Sequence, residues 1–93
     1  MRTIDPTTKF KRDYKRELKG QYRATVEADL IAVFDQLAND TPLDARFRDH
    51  ALSGNWAKHR DCHVRPDLVL IYRKTEDERL ILLRLGSHSE LGL

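Results

Sequence analysis

A single cysteine, Cys62, leaves the chain unable to close an internal disulfide, so its fold is not expected to depend on an oxidising compartment. No apolar run approaches the ~20 residues needed to cross a bilayer, and no N-terminal run resembles a signal peptide. Internal repeats, low-complexity tracts and breaks in composition are missing as well. These absences point to a soluble, cytoplasmic protein with no membrane partner. One small domain spanning residues 1–93 is expected, large enough to fold alone.

The net charge is only +2, but it is unevenly spread. Residues 1–23 hold eight basic side chains (Arg2, Lys9, Lys11, Arg12, Lys15, Arg16, Lys19, Arg23) against three acidic ones (Asp5, Asp13, Glu17), a local balance of +5. The rest of the chain holds nine basic and twelve acidic groups, a balance of −3. A basic helix beside a nearly balanced body suits a polyanion, most often a phosphate backbone, because neutralising phosphates releases condensed counterions. A merely solvated helix face has the same pattern.

Apolar spacing defines the elements. Arg2 to Asp5 is a candidate opening strand, and Asp5-Pro6-Thr7-Thr8 offers a helix start. Phe10, Tyr14 and Leu18 recur every four residues, so Thr8 to about Lys19 reads as a helix with those three on its apolar face and Gly20 as its stop. Val26, Leu30, Val33, Phe34, Leu37 and Ala38 mark a second helix, about Gln21 to Asn39, antiparallel to the first. Thereafter the period changes. Trp56 to Val64, Leu68 to Tyr72 and Leu80 to Leu85 read as strands separated by turns at Arg65-Pro66-Asp67 and Thr75 to Glu78. The order is β-α-α-β-β-β with a short C-terminal tail: an α+β fold with two N-terminal helices packed on a twisted, largely antiparallel four-stranded sheet.

The titratable side chains crowd into Asp49 to Asp67, DHALSGNWAKHRDCHVRPD, which holds His50, His59, His63, the only Trp and the only Cys. Histidine titrates near neutral pH, so imidazoles that converge with a carboxylate can take a proton from one oxygen and give one to another. Metal-free cleavage of RNA requires this: a base for the ribose 2′-hydroxyl, cations for the phosphorane and an acid for the leaving 5′ oxygen. His50, His63, Asp67 and His88 are the candidates for proton transfer, and Arg65 or Arg84 for the phosphate. In a tight hairpin, His63 and Asp67 flank the turn, and the last strand returns His88 to the same end. His50 lies in a loop with no such constraint.

In sequence order, the pieces Asp49-His50-x-Leu52-x-Gly54-x-Trp56, Arg60-Asp61-x-His63-Val64-x-Pro66-Asp67, Leu70-Ile71-Tyr72 and Arg84-x-Gly86-x-His88 resemble the YafQ type within the RelE superfamily of bacterial toxins, the ribosome-dependent mRNA endonucleases. The N-terminal half agrees only as a basic helical hairpin. The resemblance implies a RelE-like fold, cleavage of mRNA in the ribosomal A site, no cofactor and a cognate antitoxin. By position it assigns catalysis to His50, His63, Asp67 and His88, in place of a metal, with Arg84 near the scissile phosphate. Lys11, Arg12, Lys15 and Arg16 would face ribosomal RNA. One departure is visible: relatives often end in an aromatic residue four positions after the last histidine, able to stack on a base, and that position is Gly92 here.

Other readings are weaker. A zinc site built from His59, Cys62, His63 and His88 would need adjacent strand residues, Cys62 and His63, to point to one face. His59 reads as an exposed bystander, Cys62 as a small core residue, Trp56 and Tyr72 as structural, and Asp61 either as an orienter of a histidine or as a partner of Arg60. A catalytically inactive RNA- or ribosome-binding module of the same fold is the alternative function, and gaps in the His/Asp set would mark it. The sequence has none.

Overall fold

The computed structural model describes residues 1–93. Strand β1 is Thr3–Pro6, helix α1 Thr8–Glu17, helix α2 Val26–Ala38, strand β2 His50–Ala51, strand β3 Arg60–Arg65, strand β4 Leu68–Lys74, strand β5 Arg79–Gly86 and helix α3 His88–Leu91. The sheet has five strands in the order β1-β5-β4-β3-β2, where four were expected. The additional strand is β2, too short to show any alternation in the sequence, which pairs His50 with Asp61 and Ala51 with Arg60. β1 runs parallel to β5, and every other pairing is antiparallel.

Two apolar layers sandwich the sheet. On one face α1 and α2 bury Phe10, Val26, Leu30, Val33 and Leu37 against Cys62, Leu68, Leu70, Tyr72, Leu80 and Leu85. On the other, Val69 and Ile71 form a small cluster covered by Leu91 of α3, Leu52, Trp56 and Leu83. Because β4 has both faces covered, Leu68 to Tyr72 are all buried, as the continuous apolar run indicates.

Helix α1 departs from its expected face. Thr7 caps it by accepting from the Phe10 amide, but the residues buried beside Phe10 are Asp13 and Glu17, while Leu18 is exposed. Both carboxylates are paired. Asp13 accepts from Arg84 Nε at 2.7 Å and from the Leu85 amide at 3.0 Å. Arg16 Nε reaches Glu17 Oε2 at 3.0 Å, and Arg16 Nη2 donates to the Leu85 carbonyl at 2.7 Å. A buried charge that would otherwise cost several kcal/mol is tolerated here because partner cations and an amide satisfy it. This network ties α1 to the end of β5 and, through Arg16 and Glu90 at 3.1 Å, to α3.

The boundaries elsewhere shift for local reasons. α2 begins at Val26 instead of Gln21; residues 21–25 form turns in which the Arg23 amide donates to Gly20 and the Thr25 amide to Tyr22. Trp56 belongs to a 3-10 turn, Gly54–Trp56, so β3 starts only at Arg60. No helix is long and apolar enough to cross a membrane.

Candidate active site

Strand parity puts Asp61 and His63 on the face of β3 opposite Cys62 and Val64, and pairing with β2 brings His50 beside them. β5 then delivers His88 to the same end, where Ser87 caps α3 with a capping box closed by Glu90. The three imidazoles converge. The His63 ring centroid lies 4.9 Å from that of His88 and 6.4 Å from that of His50.

Asp67, in the β3–β4 turn, completes the set, and its partner is His88 and not His63, which flanks the same turn. Its Oδ1 accepts from the His88 amide at 3.0 Å and from His88 Nδ1 at 2.7 Å. The two bonds from His88, backbone first, hold the Asp67 carboxyl below its ordinary pKa. Since a carboxylate only accepts, Nδ1 carries the proton and Nε2 is left without a protein partner. His50 is fixed in the same manner by a backbone carbonyl: its Nδ1 donates to Arg48 at 2.7 Å.

His63 makes neither kind of bond. Burial depresses its pKa below the ordinary 6.5; Asp61 opposes this, and the charges of His88, Arg48 and His50 reinforce it. The shift favours the neutral ring, the form that can accept a proton.

Asp61 is more central than the sequence suggested. It is 3 % exposed, and its Oδ1 has no aligned hydrogen bond although His50 Nδ1 is only 3.1 Å away, because the His50 proton is directed at Arg48. Burial raises its pKa, against the pull of His50, His63 and His88. Its shared parity with His63 was the available signal. Arg60 turns to Asp49, which also accepts from the Tyr72 hydroxyl at 2.6 Å and so pins the approach to β2 onto the sheet.

The candidate cations divide into two groups. Lys11, Arg12 and Lys15 are exposed on α1 and make no ion pair, leaving a free basic face. Arg16, Arg84 and Arg65 are engaged. Arg84 forms a two-pronged pair with Asp13, and Arg65, just past a bulge in β3, forms another with Asp29 at 2.7 and 3.1 Å. Beside the histidines opens a cleft of about 780 Å³, lined by Arg46, Phe47, Arg48, His63, Arg65 and His88 among others. Arg46 and Arg48 were not singled out from sequence, where they are two more charges in a charged chain.

The remaining residues are structural. Cys62 is fully buried, and burial raises its thiol pKa, so it is no nucleophile. His59 stacks edge-on against Trp56 at 5.5 Å and bonds Ala57. Gly92 ends α3 in the left-handed region, φ 70°, where a Cβ would be strained. No three His, Cys, Asp or Glu side chains are arranged to hold a metal ion.

An α+β domain with His63 and His88 lining a basic cleft, and His50 and Asp67 beside them, has an arrangement that can transfer protons on an anionic substrate. The chain belongs to the family of bacterial toxins of type II toxin-antitoxin systems, YafQ, whose model matches residues 2–92. It is 38% identical over 90 residues to the mRNA interferase toxin YafQ of Escherichia coli K12, covering 95% of this chain and 97% of that one. Among solved structures, a copper-bound mutant toxin from Helicobacter pylori is 41% identical with a TM-score of 0.88, over 98% of this chain and 99% of the other. YafQ in the E. coli DinJ-YafQ complex is 35% identical with a TM-score of 0.83, over 98% of each chain.

Proposed function

We propose that this chain is the toxin of a bacterial type II toxin-antitoxin pair and an endoribonuclease that cleaves mRNA in the ribosomal A site, by acid/base catalysis without a metal. The observation that carries the reading is the meeting of His50, His63 and His88 at one end of the sheet, with Asp67 bonded to His88. An inactive binding module would have no need of that arrangement.

In this mechanism neutral His63 takes the proton of the ribose 2′-hydroxyl. The 2′ oxygen attacks the adjacent phosphorus, the bond to the 5′ oxygen breaks, and His88 supplies the proton to that oxygen. The products are a 2′,3′-cyclic phosphate and a 5′-hydroxyl. Asp67 orients His88 and balances the charge of its imidazolium form, while His50 positions the substrate or shares a proton. Lys11, Arg12 and Lys15 face ribosomal RNA, and the site of action is the bacterial cytoplasm. The DinJ-YafQ complex supports a cognate antitoxin as a second partner.

Expression of the protein and its His88→Ala variant in bacteria, with mapping of RNA 5′ ends, tests the reading. Cuts inside translated frames that vanish in the variant are expected; identical RNA profiles would overturn it.

A further inference from the structure

Phosphoryl transfer concentrates negative charge on the non-bridging oxygens, and a cation that is already neutralised responds weakly to it. Arg84 and Arg65, the two arginines expected at the phosphate, both spend their paired N–H groups on carboxylates of this chain, Asp13 and Asp29. The cleft nevertheless has two arginines whose guanidinium groups bond no carboxylate. Arg48 makes no side-chain hydrogen bond or ion pair, and Arg46 rests only on the Phe47 ring, 4.7 Å from its centroid.

The backbone explains how Arg48 comes to stand there. The 3-10 turn Ala45–Phe47 ends with Arg48 in the left-handed region, φ 49° and ψ 41°, which a non-glycine residue adopts only at a cost. That conformation is held at both sides: the Arg48 amide donates to Ala45, and its carbonyl accepts from His50 Nδ1 at 2.7 Å. The residue is thereby locked to a member of the histidine cluster, and its side chain lines the cleft together with His63 and His88.

Resting on the endoribonuclease reading above, we propose that Arg48, aided by Arg46, is the cation that holds the scissile phosphodiester and stabilises its transition state, while Arg84 and Arg65 are structural. Arg48 exchanges no proton in this role. Its N–H groups bond the non-bridging oxygens as the 2′ oxygen attacks and the 5′ oxygen leaves. The charge of Arg48 also bears on His63, whose pKa it helps to depress alongside burial, His88 and His50 and against Asp61.

Single-turnover cleavage of an mRNA on programmed ribosomes, measured against pH, is the test. Arg48→Gln should slow cleavage by roughly 100-fold, the scale of losing one oxyanion donor, and Arg48→Lys should recover part of it. The acid limb of the Arg48→Gln profile should move to higher pH, a shift that a purely structural defect would not give. Arg84→Gln, compared at a temperature where it remains folded, should cleave within about 3-fold of the parent. An Arg48→Gln protein that cleaves at the parental rate, or an Arg84→Gln protein that is folded yet as slow as Arg48→Gln, would overturn the assignment. Abolition by His63→Ala together with unchanged Arg48→Gln would sink this inference alone. Full cleavage by His63→Ala would sink the reading beneath it.

Discussion

Asp67 Oδ1 accepts two hydrogen bonds from one residue, the amide of His88 at 3.0 Å and its Nδ1 at 2.7 Å, so a single carboxylate oxygen sets both the start of α3 and the tautomer of a ring. Ring, turn and helix are tied together at that one oxygen. Asp67→Asn keeps the shape but removes the charge facing an imidazolium. Cleavage should fall by about 10- to 100-fold, part of the ~10²- to 10⁴-fold that a positioned acid contributes. A rate within 2-fold of the parent, in the same single-turnover assay, would remove Asp67 from the mechanism.

The pH profile should carry the mark of His63. Its pKa lies below 6.5 in the folded protein, chiefly through burial, so the limb on which the base loses its proton should have its midpoint below pH 6.5 in kcat/KM. The stability sign follows from the same shift. Between the folded and unfolded values the unfolded chain binds more protons, so stability falls as pH drops through that window. An acid limb at or above pH 6.5 would contradict the assignment of His63 as base.

Asp61→Asn offers a signed control. The charge of Asp61 raises the pKa of His63, so removing it should move the acid limb to still lower pH, opposite to the shift expected of Arg48→Gln. Burial raises the pKa of Asp61 itself, so its ionised form already opposes folding at neutral pH. The variant should therefore be no less stable at pH 7 by urea unfolding. Movement of the limb upward would show that Asp61 acts on His63 by something other than charge.

Asp13→Ala should be costly for the fold. Asp13 is 4 % exposed and accepts from Arg84, Arg16 and the Leu85 amide. Burial pushes its pKa up, but those partners outweigh burial and bring it below the usual range. Breaking a buried pair from one side costs about 3 kcal/mol, readable as a lower urea midpoint. A loss under about 1 kcal/mol would mean that the α1–β5 network is peripheral.

Neutralising Lys11, Arg12 and Lys15 together should weaken ribosome association without unfolding the protein, since all three are exposed and unpaired. Each lost phosphate contact should reduce the slope of log K against log salt by roughly 1. An unchanged slope would show that α1 does not meet RNA. Arg16 is left out of this set because it is part of the network around Asp13.

Chelation tests the metal-free character of the reaction. 1,10-Phenanthroline, which binds transition metals and spares the Mg2+ that ribosomes need, should leave the rate of the single-turnover assay unchanged. A loss restored by adding back one metal ion would replace paired-imidazole catalysis with metal chemistry.

Local periodicity was sufficient wherever one signal dominated. α2, β4 and β5 were legible because their apolar residues repeat with the helical period or run nearly unbroken; burial follows that pattern in α2 and β4, whereas in β5 it alternates, with Leu80 and Leu82 buried and Ile81 and Leu83 only partly so. It failed where tertiary partners reversed a residue's ordinary preference. Leu18 is outside and Asp13 and Glu17 inside because Arg84 and the Leu85 amide and carbonyl on β5 complete a polar network with Arg16 of the same helix, and no one-dimensional pattern encodes partners some seventy residues away. β2 was invisible since two residues cannot show a period, and His50 acquired its place only by pairing with Asp61.

The sequence by itself determined the inventory of the site and its faces: which histidines are present, and that Cys62 and His63 must point apart, because alternation in a strand is a property of the backbone. Pairing was decided by the tertiary structure. It gave Asp67 to His88, paired Arg84 with Asp13 and Arg65 with Asp29, and left Arg48 without a carboxylate partner in the cleft that His63 lines. The reason is physical. A charged group's availability depends on what lies within about 4 Å of it, and for these residues that neighbourhood is made by contacts distant in the chain.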